Sequence, residues 1–156
     1  MSPEARKVIT ILIADDDADD RMMMREAFEE NRLANDLRFV QDGEELLDYL
    51  LGTGAYAGGA LARPTIILLD LNMPRKSGLE ALAEIKGNPR LRRIPVIVLT
   101  TSEEERDVAR SYDLGANSFV SKPVDFAEFS RVIQQLGDYW LDLVTTPPPA
   151  QRESRP

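Results

Sequence analysis

The stretch Val8-Ile-Thr-Ile-Leu-Ile-Ala14, followed at once by Asp15-Asp16-Asp17-Ala18-Asp19-Asp20, decides the fold. Its first half is apolar and largely β-branched with no polar face, the pattern of a strand buried on both sides. It is too short to cross a bilayer. The character changes within one residue, so this strand ends in carboxylates. Thr65–Leu69, ending in Asp70, and Val96–Leu99, ending in Thr100, repeat the pattern. Leu37–Val40 and Ser118–Val120 read as shorter strands, the second followed by Lys122-Pro123.

Between these runs the apolar residues recur at helical spacing. Asp19–Asn31 carries Met23, Ala27 and Phe28 on one face, Glu44–Leu51 carries Leu46, Leu47 and Leu50, and Gly78–Gly87 carries Leu79, Leu82 and Ile85. Ser102-Glu-Glu-Glu105 is a capping box opening a helix to about Leu114, and Asp125-x-x-Glu128 opens the last helix. A loop rich in Gly and Ala, Gly52–Arg63, leads to Pro64. Buried strands alternating with helices belong to an α/β fold with a parallel sheet covered on both faces. A single domain is expected over residues 1–144, with residues 145–156 and their three consecutive prolines as a disordered tail.

Composition narrows the chemistry. At 156 residues the chain can bury a full core without covalent staples. It contains no cysteine, which excludes disulfides, thiolate zinc sites and a cysteine nucleophile. It contains no histidine either, so it cannot donate a phosphohistidine or use a histidine base, and any phosphoryl donor comes from outside. The net charge of −8, from 19 basic and 27 acidic residues, comes without a basic stripe. Direct binding to nucleic acid or an anionic membrane is therefore not expected. The polar start Ser2–Lys7 does not read as a signal peptide, so a cytoplasmic location is expected.

In an open parallel sheet the side chains at the carboxyl ends of the strands collect at one edge, where ligands bind. Here Asp15, Asp16, Asp70, Thr100 and Lys122 would converge. Three close carboxylates repel one another unless a divalent cation lies between them, and oxygen-only ligands suit Mg²⁺ or Mn²⁺. Such a site draws a phosphoryl donor towards Asp70, whose carboxylate can act as the nucleophile of an acyl phosphate. Lys122 can screen the incoming charge as a point cation.

Taken singly, each residue has a plainer reading. Asp17, Asp19 and Asp20 fit a solvated helix start, Asp70 a turn after a strand, and Thr100 and Lys122 structural positions. The weight lies in all five site residues standing in order at strand ends. Asp15-x-Asp17-x-Asp19 with Glu26 mimics a calcium loop, but Asp20 stands where the turn-making Gly belongs and a strand precedes it. A phosphatase of the haloacid dehalogenase kind, with Asp15 as nucleophile and Asp17 as acid/base, would leave Asp70 unexplained.

Together these segments closely resemble the receiver domain of response regulators. The resemblance rests on Ile-Leu-Ile-Ala-Asp15-Asp16-Asp17, Ile-Ile-Leu-Leu-Asp70-Leu-Asn72-Met-Pro74-Arg-Lys-Ser-Gly78, Val-Ile-Val-Leu-Thr100-Thr-Ser102 and Gly115-Ala-Asn-Ser-Phe119-Val-Ser-Lys122-Pro123. It covers about residues 8–137 and implies a flavodoxin-like, doubly wound (βα)5 sheet of strand order 2-1-3-4-5. It implies Asp70 as phospho-acceptor, Asp16 as metal ligand, Asp15 as a member of the acidic pocket through a metal-bound water, and Asn72 as a backbone-carbonyl ligand. Thr100 would bond the phosphoryl group, Phe119 would follow Thr100 inward as the switch aromatic, and Lys122 would pair with the phosphoryl group, its bond to Pro123 being cis. Asn72 and Ser102 would border the path of an attacking water and tune dephosphorylation. The protein would be a switch that catalyses only its own phosphorylation and dephosphorylation, charged by a sensor histidine kinase.

A narrower resemblance, to stand-alone regulators that partner phytochrome-type kinases, rests on the loop before Pro64, on Leu99-Thr-Thr-Ser102, on Ser111-Tyr-Asp-Leu114 and on Tyr139-Trp140-Leu141. In most of those relatives the first acid of the pair is Glu, where this chain has Asp15. No DNA-binding or catalytic output segment is expected, so the expected output is a protein–protein contact, a phosphorelay step or diversion of phosphoryl groups from another regulator. Phe126, Phe129, Ile133, Leu136, Trp140 and Leu143 recur at spacings of 3, 4, 3, 4 and 3. A helix from Asp125 to Val144 would be roughly 30 Å long at 1.5 Å per residue, longer than a typical strand. Its apolar end suggests a twofold homodimer with Phe129, Ile133, Trp140 and Leu143 as contacts.

Overall fold

The computed structural model describes residues 10–31, 36–59, 61–101, 105–123 and 125–136. Among these residues five strands alternate with five α-helices: β1 (Thr10–Ala14), α1 (Ala18–Asn31), β2 (Asp36–Val40), α2 (Gly43–Leu51), β3 (Ile66–Leu69), α3 (Gly78–Gly87), β4 (Val96–Thr100), α4 (Glu105–Asp113), β5 (Ser118–Ser121) and α5 (Phe126–Leu136). All pairings are parallel and the sheet order is β2-β1-β3-β4-β5. The fold is the flavodoxin-like one expected.

Alternate side chains of each strand leave opposite faces of the sheet, which explains why β1, β3 and β4 are apolar throughout. Leu12, Ile67, Leu69, Val96 and Val98 meet α2 and α3 through Leu46, Leu47, Ala81, Leu82 and Ile85. Ile11, Ile13, Ile66, Leu68, Ile97 and Leu99 meet α1 and α5 on the other face. Each such large side chain contributes about 1.5–3 kcal/mol on full burial.

The inward stripe of α1 is Met24, Ala27 and Phe28, with Met23 only partly buried beside it. The spacing i, i+3, i+4 selects Met24 over the Met23 expected from sequence.

The expected dimer contacts Phe129 and Ile133 are corrected here. Both are 0% exposed, packed between α5, α1 and the sheet. A stripe at this spacing is first of all the face by which a helix covers its own sheet, and these two residues are consumed in doing so. Trp140 and Leu143, the expected tail and the Ser102 capping box lie outside the described residues. The Asp125 cap is present, its carboxylate accepting from the Glu128 amide at 2.9 Å.

Local signals fix where the helices start. Ser77 and Glu80 form a reciprocal capping box at α3, and Asp42 accepts from the Glu45 amide at α2. Gly78 is required sterically, since a Cβ there would lie 2.4 Å from the Asp70 carbonyl oxygen and 2.5 Å from Leu71 Cα. This close approach lets α3 begin directly against the end of β3. At the far side of the sheet β5 pairs, among the described residues, only with β4, and its Phe119 N–H donates to Tyr112 Oη of α4 at 3.1 Å.

Candidate functional site

The parallel ladder runs to the edge of the sheet and carries the site with it. Asp15 N donates to the Val40 carbonyl and Asp70 N to the Ala14 carbonyl, each at 3.0 Å, so the two aspartates sit side by side just beyond β1 and β3. Thr100 ends β4, and Lys122 follows β5 with its amide bonded to the Thr100 carbonyl at 2.8 Å. The residues expected to converge do so.

Lys122 is the centre of the arrangement. Its Nζ donates to Asp15 Oδ2 at 2.8 Å, Asp20 Oδ2 at 2.8 Å and Asp70 Oδ2 at 2.9 Å, which accounts for all three ammonium protons. The second oxygen of Asp70 accepts from Thr100 Oγ1 at 2.8 Å and from the Asn72 amide at 3.1 Å, while Asn72 Nδ2 donates to Thr100 Oγ1 at 3.3 Å. Asp15 Oδ1 accepts from the Asp17 amide at 2.9 Å, and Arg21 Nη1 donates to the Asp15 carbonyl at 2.8 Å. Asp70 is therefore held at both oxygens.

Burial sets the electrostatics. Asp15 is 1% exposed, and loss of water raises its carboxyl above the usual range, opposed by the bonds from Lys122 and the Asp17 amide. Burial alone would lower the Lys122 ammonium, but its bonds to Asp15, Asp20 and Asp70 outweigh this and raise it above the ordinary lysine value. Asp15, Asp16 and Asp70 each offer a carboxylate oxygen within 4.8 Å of the other two, with Asp16 exposed to solvent and the other two buried. A hard-oxygen set open on one side fits Mg²⁺ or Mn²⁺, which keep several waters, better than a softer metal.

The geometry separates the acidic run by role. Asp17 Oδ1 accepts from the Asp19 and Asp20 amides at 2.8 and 3.1 Å, so Asp17 caps α1 and its carboxylate is turned to the helix rather than to an acid/base task. Asp20, read from sequence as a solvated first-turn residue, is corrected: its side chain crosses to Lys122. No signal in the run Asp15–Asp20 distinguishes it from Asp19, because the difference arises from its angular position in the first turn of α1, from which its carboxylate reaches Lys122.

Two other expectations can be placed. Phe119 is half-buried and packs against the core face shared with α2 and α3, next in the strand register to Val98. Among the described residues no peptide bond is cis, so Lys122–Pro123 is trans, contrary to what the resemblance implied. The trans form is the lower in energy for X–Pro by about 0.5–1 kcal/mol. Ser102 lies outside the described residues.

Known proteins resemble this chain in sequence and fold. Residues 11–134 match the response regulator receiver domain. The chain is 39% identical to response regulator Rcp1 of Synechocystis sp. over 147 residues, covering 94% of this chain and 99% of that protein. The crystal structure of Mn²⁺-bound Rcp1 superposes with a TM-score of 0.82 at 38% identity, covering 90% of this chain and 99% of that one. The phosphorylated cyanobacterial phytochrome response regulator RcpA does so at 0.84 and 37%, covering 91% and 100%. A five-stranded parallel sheet that gathers Asp15, Asp16, Asp70, Thr100 and Lys122 at one edge, matched along its length by these proteins, places the chain in the response regulator receiver family.

Proposed function

We propose that the chain is a two-component phospho-switch whose Asp70 accepts a phosphoryl group from a sensor histidine kinase. The observation that carries this is the way Asp70 is held, with Thr100 on one oxygen and Lys122 on the other, beside Asp15 and Asp16 at metal-ligand spacing. Asp15, Asp16, Asp70 and the Asn72 backbone carbonyl would hold Mg²⁺ or Mn²⁺, which supplies charge neutralisation between the carboxylates and the phosphoryl oxygens. The Mn²⁺ named for Rcp1 supports that assignment.

A carboxylate oxygen of Asp70 attacks phosphorus, forming a P–O bond as the P–N bond to the donor imidazole breaks, and the imidazole nitrogen takes up a proton. Lys122 and Thr100 already touch Asp70, so each reaches the new phosphoryl oxygens by a small change of partner. Thr100 turning towards the phosphoryl group would leave space for Phe119, transmitting the change to the α4–β5 face. Asn72 and Ser102 would tune hydrolysis of the acyl phosphate. The protein acts on itself rather than turning over a substrate.

The likeness to RcpA, named as a phytochrome response regulator, supports a phytochrome-type kinase as donor. A cytoplasmic site of action agrees with this partner; among the described residues no helix is long and apolar enough to cross a membrane. A homodimer with Trp140 and Leu143 as contacts is part of this reading, and loss of dimer mass in Trp140→Glu by analytical ultracentrifugation is its test.

Incubation with phosphoramidate and Mg²⁺, followed by intact mass measurement, tests the main reading. Wild type should gain one phosphoryl mass and Asp70→Asn none. Absence of an adduct on wild type, or its persistence in Asp70→Asn, would refute the assignment.

A further inference from the structure

Lys122 has three carboxylate partners, and two of them, Asp15 and Asp70, belong to the metal and phosphoryl site. The third does not. Asp20 is absent from the group whose oxygens cluster at metal-ligand spacing, yet its Oδ2 lies 2.8 Å from Lys122 Nζ, as close as that of Asp15. Its side chain is 25% exposed, against 1% for Asp15 and 7% for Asp70, so it approaches the ammonium from the solvent side.

Asp20 is also well fixed. It lies in the first turn of α1, three residues past the cap Asp17, where a carboxylate is favoured by the helix dipole. Its backbone amide is held by the Asp17 side chain at 3.1 Å. The α1 terminus thus presents this carboxylate to Lys122 independently of what happens at Asp70.

We infer that Asp20 is a positioning residue that competes with the phosphoryl group for Lys122. This rests on the phospho-switch reading. When a cation engages Asp15 and Asp70, and Asp70 becomes an acyl phosphate, Lys122 loses the full charge of two of its partners. Asp20 keeps its own. The ammonium then divides between Asp20 and the phosphoryl oxygens, and Asp20 sets how completely Lys122 is handed over. The same carboxylate places a negative charge beside the path of an anionic phosphodonor.

The test compares wild type, Asp20→Asn and Asp20→Glu, each with Mg²⁺, in binding of fluoroberyllate and in phosphorylation by phosphoramidate. Replacing a charge-assisted bond by a neutral one should lower the half-saturating fluoroberyllate concentration about fivefold in Asp20→Asn. The half-saturating phosphoramidate concentration should fall in parallel, with little change in the plateau rate. Asp20→Glu should return both towards wild type. A purely structural role would instead lower stability and plateau rate together.

In a Lys122→Ala background the Asp20→Asn effect should vanish, since the coupling runs through the ammonium. An effect of equal size without Lys122, or wild-type values in Asp20→Asn, would overturn the inference and leave the phospho-acceptor role of Asp70 standing. Failure of wild type to take phosphate would overturn both.

Discussion

Replacing Lys122 by Met keeps most of the buried stem and removes the charge. Lys122 has 6% of its side chain exposed, and two of the carboxylates it neutralises are at 1% and 7%. Solvent therefore screens little of what is lost. Breaking a buried pair by removing one partner costs about 3–5 kcal/mol, because the remaining charge is stranded. For a chain of this size that corresponds to a fall in melting temperature of about 6–20 °C at about 2–4 °C per kcal/mol. Urea or thermal denaturation in metal-free buffer at neutral pH measures it. Added Mg²⁺ should recover much of the loss in the variant, since a cation held by Asp15, Asp16 and Asp70 replaces the missing charge, and acidification should narrow the gap as Asp15, already raised by burial, takes up a proton. In wild type the ammonium is raised on folding, so its stabilisation is complete below the unfolded value of 10.5 and disappears only as pH climbs through the higher folded value. A metal-free loss below about 1 kcal/mol, the worth of an exposed pair, would refute the argument that this cluster is desolvated.

Asp15 contributes with the same sign in a far more acidic window. Its folded pKa is raised above 3.8, so the folded state holds that proton more tightly and the resulting stabilisation, present below 3.8, fades as pH rises through the folded value. In metal-free urea titrations this fall should flatten in Asp15→Asn, and an unchanged slope would locate the titration elsewhere. Gly78→Ala should lose about 1–3 kcal/mol by overpacking, because the new Cβ meets backbone at 2.4 and 2.5 Å and not a side chain that can turn aside. The same variant should phosphorylate more slowly as Asp70 shifts, measured by mass against time.

The parts of the fold legible in the sequence are those where local pattern and tertiary environment coincide. β1, β3 and β4 read clearly because burial on both faces leaves unbroken apolar runs, and α3 read at its observed bounds, Gly78–Gly87, from the spacing of Leu79, Leu82 and Ile85. The site was legible as far as it consists of strand ends, since topology alone brings Asp15, Asp70, Thr100 and Lys122 to one edge. Asp20 was not legible: a first-turn aspartate has an adequate reason to be where it is, and its reach to Lys122 depends on the rotation of α1 about its own axis. Phe129 and Ile133 show the converse. Their spacing reported an apolar helix face truthfully, but spacing does not say whether that face covers its own sheet or another chain.

The bond from the Phe119 amide to Tyr112 Oη has a consequence for solubility. β5 closes one side of the sheet, and an open strand there offers amides and carbonyls on which another chain can template a further strand. A phenol from the same molecule occupies that amide, so a would-be intruder must displace an existing hydrogen bond before it gains one. The tyrosine that makes this bond is itself half exposed, at 49%. The margin of the sheet is thus guarded by a side chain that water can reach, attached to the backbone of the very aromatic assigned to move.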